Sequence, residues 1–142
     1  MNLLLLLLLQ TDNGPCLGWR ESYYKPYQWL NYNEALLRAK NFGSGLVALG
    51  LNPSPETFLG LYSTNCPEWI LAEQGAYTYS MVIVPLYDTL GPDACAYIVN
   101  QGSISFAVCS KVTKFSNERK SNEENCFSSS NLRYRVSGRC KS

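Results

Sequence analysis

Histidine is absent from this 142-residue chain. Without imidazole there is no Ser-His or Cys-His nucleophile pair, no histidine general base and no mixed Cys/His zinc site. Glycine-rich phosphate loops are missing too. Neither GxGxxG nor GxxxxGK[ST] occurs, and Gly43-Ser44-Gly45 falls inside a predicted helix instead of following a strand. The six cysteines (Cys16, Cys66, Cys95, Cys109, Cys126, Cys140) include no CxxC pair, so a metal or thioredoxin-type motif fails. The chain is not small and Cys-dense, and no Asn-x-Ser/Thr sequon occurs. The thiols are therefore expected to be scattered, mostly buried and reduced, not a disulfide framework. Charged residues make up only 16% and the net charge is +1, so nucleic acid is not an expected partner. No apolar stretch approaches the ~20 residues needed to span a bilayer.

The near-neutral total hides an asymmetry. Residues 1–109 hold four basic and eight acidic side chains, a net of −4; residues 110–142 hold eight basic and three acidic, a net of +5. The chain divides accordingly into a Leu-rich N-terminus at 1–12, a partial domain at 13–109 and a polar, basic tail at 110–142. Leu3–Leu9 is a run of seven leucines without a preceding Lys or Arg or a following small-residue cleavage site. It reads as a sticky, poorly ordered terminus capable of weak membrane contact. Residues 11–30 are turn-rich, with Asn13-Gly14-Pro15 and Pro26, and crowd Trp19, Tyr23, Tyr24, Tyr27 and Trp29 together. With only Arg20 and Lys25 nearby, packing on a larger body is a better reading than base stacking. Tyr27–Leu30 is a short edge-strand candidate.

From Asn31 the pattern becomes regular. Asn31 and Glu34 have the spacing of a capping box, and Ala35, Ala39, Phe42, Leu46 and Leu49 fall on one helical face. Gly50 is placed to end that helix. Phe58–Tyr62 reads as a buried strand. Pro67 and Glu68 open a second helix running to about Tyr79, since proline costs nothing at a first turn and an acid faces the positive end of the dipole. Met81–Val84 is apolar without alternation, as in a central parallel strand. A third helix starts at Gly91-Pro92-Asp93 and ends near Asn100 or Gly102, and Ile104–Cys109 is a third strand. Helices alternating with strands over short connections imply an α/β fold with a parallel sheet and right-handed crossovers. From Ser110 the tail holds eight serines and four asparagines with no sustained apolar run, so it is expected to be disordered.

Candidate chemistry is sparse. Glu68, Glu73, Asp88 and Asp93 are possible paired carboxylates, but helix-start and turn positions account for them equally well. Cys66, before a helix, is a candidate low-pKa thiol without a base to partner it. No catalytic, cofactor-binding or metal residue is assigned.

One stretch is more specific. Asn65, Pro67-Glu68-Trp69, Glu73-Gln74-Gly75, Tyr79-Ser80, the block Val82-Ile83-Val84-Pro85-Leu86-Tyr87-Asp88-Thr89-Leu90-Gly91 and Tyr97-Ile98-Val99-Asn100 resemble the N-terminal portion of long-chain acyl-CoA synthetases. These are the long-chain fatty-acid–CoA ligases of the adenylate-forming superfamily. The resemblance runs from Asn13 to Cys109. It implies a partial N-terminal lobe of an enzyme that makes an acyl-adenylate from fatty acid and ATP with Mg²⁺, then a thioester with CoA. It also implies a protein on the cytoplasmic side of the endoplasmic reticulum or mitochondrial outer membrane, although no complete membrane-spanning segment is present. The family's phosphate-binding loop, nucleotide pocket and mobile C-terminal domain have no counterpart here. The expectation is a truncated synthetase that binds no cofactor and is inactive alone. Two alternatives stay open: a non-catalytic protein that pairs with full-length synthetase, and a small α/β ligand-binding module.

Overall fold

The computed structural model describes residues 3–109 and 133–136. In chain order the elements are α1 (Leu3–Gln10), β1 (Pro15–Trp19), β2 (Gln28–Asn31), α2 (Tyr32–Ala48), β3 (Phe58–Tyr62), α3 (Pro67–Thr78) and β4 (Val82–Leu86). A 3₁₀ turn (Asp88–Leu90) follows, then α4 (Gly91–Gln101), β5 (Phe106–Cys109) and β6 (Arg133–Val136). β1 and β2 form an antiparallel hairpin of their own. The other four strands make one parallel sheet in the order β4-β3-β5-β6.

Side-chain alternation along β3 and β5 sorts the core onto the two faces of this sheet. Leu59, Leu61, Phe106 and Val108 pack with Leu46 of α2 and with Ala72 and Ala76 of α3. Tyr62, Ala107 and Cys109 point the other way and pack with Leu86 and with Cys95 and Val99 of α4. Helices on both faces are what a parallel sheet needs. A third cluster of Leu30, Ala35 and Leu71 seats the hairpin on the α2–α3 pair.

The local signals act as expected. Asn31 Oδ1 accepts the Glu34 N–H at 2.9 Å while the Asn31 N–H donates to Glu34 Oε2 at 3.0 Å, so the capping box is complete. Gly50 follows α2 with φ of +95°. Pro67 opens α3. At β4, the Val82 N–H donates to the Thr57 carbonyl across the sheet at 2.9 Å. Pro85, three residues on, therefore turns its nitrogen to the open edge, where a missing N–H forfeits no ladder bond.

Four features depart from the sequence reading. The leucine run forms α1, which packs on α2 instead of being disordered; the leucines are good helix formers and a second apolar surface is within reach. Pro15–Trp19, read as turn, is strand β1, paired from Pro15↔Asn31 to Trp19↔Gln28; hairpin pairing depends on the partner strand more than on local composition. The run Met81–Val84, read as a central parallel strand, falls at β4, the free edge of the sheet; it is apolar because Ile83 and Val84 pack toward opposite faces, and strand order is not encoded in that run. Within the polar tail Arg133–Val136 forms β6, parallel to β5, because pairing on a strand edge uses backbone groups that polar composition does not remove. The rest of the tail expected to be disordered lies outside the described residues.

The closest approach in the fold is between α2 and α3. A Cβ on Gly75 would lie 2.5 Å from the Ala39 carbonyl oxygen, and one on Gly43 would strike the Gly75 carbonyl and the Tyr79 ring. Gly45, on the same helix as Gly43, has nothing within 4 Å of the corresponding position. Gly75→Ala is therefore expected to lower stability by ~1–3 kcal/mol through overpacking against backbone. Gly45→Ala should raise it by ~0.5–1 kcal/mol, since the helix gains propensity at no steric cost. Urea unfolding midpoints of the two variants check this; equal midpoints would defeat the close-approach argument.

Candidate functional site

In an open parallel sheet the place for a ligand is the rim outside the strand carboxyl ends, where successive connections leave toward opposite faces. Here that place is the end of β3. Its connection turns through α3 to β4 on one side, whereas the chain leaving β4 crosses through α4 to β5 on the other. The rim is built from Ser63–Cys66 after β3, Tyr87–Leu90 after β4 and Cys109 at the end of β5.

The groups at this rim are largely turned inward. Ser63 Oγ donates to the Thr64 carbonyl at 3.0 Å and lies 3.6 Å from Cys66 Sγ. The Cys95 thiol, buried under the β4 end, donates to the Tyr87 carbonyl at 3.7 Å. Burial pushes the Cys95 thiol above its ordinary pKa, and does the same to Cys16. Neither thiol is thus activated as a nucleophile. Cys66 is disulfide-bonded. This corrects the expectation of unpaired, reduced thiols at that position and removes Cys66 as a candidate nucleophile. Sequence spacing does not reveal which sulfurs the fold brings within bonding reach.

The four acidic candidates do not converge. Glu68 and Asp93 occupy the first turns of α3 and α4, on helices that cover opposite faces of the sheet. Glu73 lies five residues after Glu68, about 140° around the helix, and accepts a hydrogen bond from the Tyr77 hydroxyl at 3.1 Å. Desolvation first, and then this bond and the Glu73 charge, push the Tyr77 pKa up. Asp88 sits in the 3₁₀ turn. Among the described residues no group of three or more His, Cys, Asp or Glu is placed to hold a metal ion. The sequence reading passed over Ser63, Tyr87 and Cys95, which take their place at the rim only from the strand order.

Two helix N-termini, those of α3 and α4, point at this rim without a side-chain cap. In principle such ends attract phosphate. Here Glu68 and Asp93 place negative charge in both first turns. The four basic side chains of residues 3–109 belong to the hairpin and α2, not to the rim loops. The loops Ser63–Cys66 and Tyr87–Leu90 thus offer no basic side chain to a nucleoside triphosphate.

The family model for "AMP-binding enzyme" matches residues 12–137. The chain belongs to the AMP-binding enzyme family. The matched stretch runs past Cys109 and takes in β6. Among curated relatives, the chain is 50% identical over 104 residues to human long-chain-fatty-acid–CoA ligase 6 and 47% identical over 102 residues to rat long-chain-fatty-acid–CoA ligase 5. These alignments cover 73% and 72% of this chain but only 15% of each relative. Solved AMP-binding structures share the fold. O-succinylbenzoate coenzyme A synthetase from Bacillus subtilis, in complex with AMP, superposes with a TM-score of 0.67 at 14% identity, over 78% of this chain and 27% of that one. The fatty acid AMP ligase from Legionella pneumophila gives 0.64 at 17% identity, over 77% and 19%. The resemblance carried by the Val82–Gly91 block thus holds, and the α/β lobe is that of the family's N-terminal portion. No helix among the described residues is long and apolar enough to cross a membrane.

Thiol labelling tests the description of the rim. With iodoacetamide near neutral pH, Cys95 is expected to react far more slowly than a peptide thiol and only as fast as the protein unfolds, because burial withholds both access and thiolate. The partly exposed Cys16 should label first. Peptide mass mapping reads the order, and rapid labelling of Cys95 in the folded chain would contradict it.

Proposed function

We propose that this chain is a piece of a long-chain fatty-acid–CoA ligase, structurally the N-terminal scaffold, and that by itself it does not catalyse the reaction. The complete reaction would be ATP-dependent formation of an acyl-adenylate, followed by transfer of the acyl group to CoA. The observation that carries the reading is the 45–50% identity to long-chain ligases over about a hundred residues, set against coverage of 15% of their length. The rim supports the second half of the proposal. It offers locally bonded hydroxyls and buried thiols, and its two helix starts carry acids in their first turns. ATP, Mg²⁺, CoA and fatty acid belong, in this reading, to the complete enzyme. Its place would be the cytoplasmic side of an internal membrane, with the leucines of α1 adding a weak contact.

A second reading, that the chain packs against a full-length synthetase, has one observation in its favour. Phe58 and Val82 are register partners on the face that α4 covers, and both are exposed, at 40% and 36%. An apolar pair left open on a parallel sheet is where further protein would sit. The third possibility, a stand-alone binding module, finds no support in a rim so poorly provided with free polar groups.

Incubation of the purified chain with ATP, Mg²⁺, palmitate and CoA is expected to yield neither AMP nor acyl-CoA above a protein-free blank. Sustained turnover would refute the proposal that this portion is inactive alone.

A further inference from the structure

Asn13 is the only asparagine of the chain that glycine follows. Asn-Gly is the least shielded of asparagine pairs, because no Cβ on the second residue hinders its backbone nitrogen. Once that nitrogen has lost its proton to hydroxide, it can attack the asparagine Cγ. A five-membered imide closes, the Cγ–Nδ2 bond breaks, and ammonia leaves with a proton from water. Water then opens the imide at either carbonyl. The product is aspartate or, with the main chain rerouted through the former side chain, isoaspartate. No oxidant and no cofactor takes part.

The fold holds both reacting atoms away from this course. Asn13 lies between α1 and β1 with a φ of +59°, in the left-handed region. The Gly14 N–H donates to the Thr11 carbonyl at 3.1 Å, so the nitrogen that would attack keeps its proton engaged. Asn13 Oδ1 accepts the Asn33 N–H at 2.9 Å, from 20 residues away. Asn33 is in the first turn of α2, where N–H groups have no partner within the helix. The bond therefore caps α2 beside the Asn31–Glu34 box and pins the carboxamide that would react. One residue on, the Gly14 carbonyl accepts the Tyr32 N–H at 3.3 Å, and β1 pairs with β2 from Pro15↔Asn31. Asn13-Gly14 thus sits where α1, the hairpin and α2 are joined. Cyclisation needs that junction to open.

We propose that Asn13-Gly14 is a deamidation site latched by this junction, whose conversion records the parting of α1 and the hairpin from α2, independently of the ligase reading. The two products differ in consequence. Aspartate keeps an acceptor at the start of α2 and adds a charge that the helix dipole favours, so the junction closes again. Isoaspartate lengthens the main chain by a methylene ahead of Pro15 and shortens the side chain, which takes both Gly14 and the carboxylate off their partners.

The test is incubation of the full chain at mildly alkaline pH, with and without urea, followed by peptide mass mapping of Asn13. Methyl transfer from S-adenosylmethionine by an isoaspartyl methyltransferase counts the isoaspartate. Conversion is expected to be at least about tenfold faster in urea, since reaction from the folded chain waits for local opening. In urea, Gly14→Ala should slow it severalfold, because a Cβ crowds the attacking nitrogen. Without urea, Leu30→Ala, which empties the seat of the hairpin on the helices, should move the rate toward the urea value. If that variant does not fold, the comparison on the unaltered chain decides. Asn13→Asp should melt at or above the parent temperature, and refolded isoaspartyl chains below it. The proposal is overturned if folded and urea-treated chains convert at one rate, or if Asn13 stays intact in urea. It is equally overturned if a folded Leu30→Ala chain converts no faster than the parent, or if isoaspartyl chains melt with Asn13→Asp.

Discussion

The contact on which the lobe depends is the one between the backbones of α2 and α3. Gly75 has no side chain because the Ala39 carbonyl occupies that space, and Gly43 answers it from the facing helix. Helices this close act as a single slab. The slab supplies Leu46, Ala72 and Ala76 to one face of the sheet, and its outer surface receives the hairpin through Leu30, Ala35 and Leu71. Larger residues at the two glycines would lift α3 off α2 and open both clusters at once, since packed interiors do not absorb an ångström of displacement locally.

The opposite face is covered differently. A single helix, α4, packs over Tyr62, Leu86 and Ala107, and the amino ends of β3 and β4 stay open beside it, where Phe58 meets Val82. Pro85 blunts the free edge of β4. This lobe is therefore covered by two helices on one side and by one on the other. The chain spans 15% of the length of the curated relatives it matches. The rim at the β3 carboxyl end follows the general rule for parallel sheets in position, yet its chemistry is closed: hydroxyls bonded locally, Cys66 in a disulfide, Cys95 buried and acids at both helix starts. Scaffold and chemistry are separable here. The scaffold is complete enough to be recognised.

Much of the scaffold was legible in the residues alone. Asn31 and Glu34 spell out a cap three residues apart, Pro67 and Gly91-Pro92 open helices, and Val82–Val84 runs apolar without alternation, so each element announces itself within a few positions. The Val82–Gly91 block carried the family. What could not be read is whatever depends on a distant partner. Pro15–Trp19 becomes a strand only because Gln28–Asn31 lies beside it, and Arg133–Val136 only because β5 presents an edge. Cys66 is bonded although no spacing in the chain marks it. Ser63, Tyr87 and Cys95 share a rim because the strand order is β4-β3-β5, an order that no local pattern encodes.

The sequence by itself determined where α2, α3, α4 and β3 to β5 lie, that the sheet is parallel, and to which family the lobe belongs. These follow from capping, periodicity and short motifs, all interactions between residues close in the chain. The tertiary structure alone decided that Gly43 and Gly75 meet and that the acids Glu68 and Asp93 stand on helices covering opposite faces. Each of these depends on bringing together residues from separate elements, and that arrangement is set by how the faces pack.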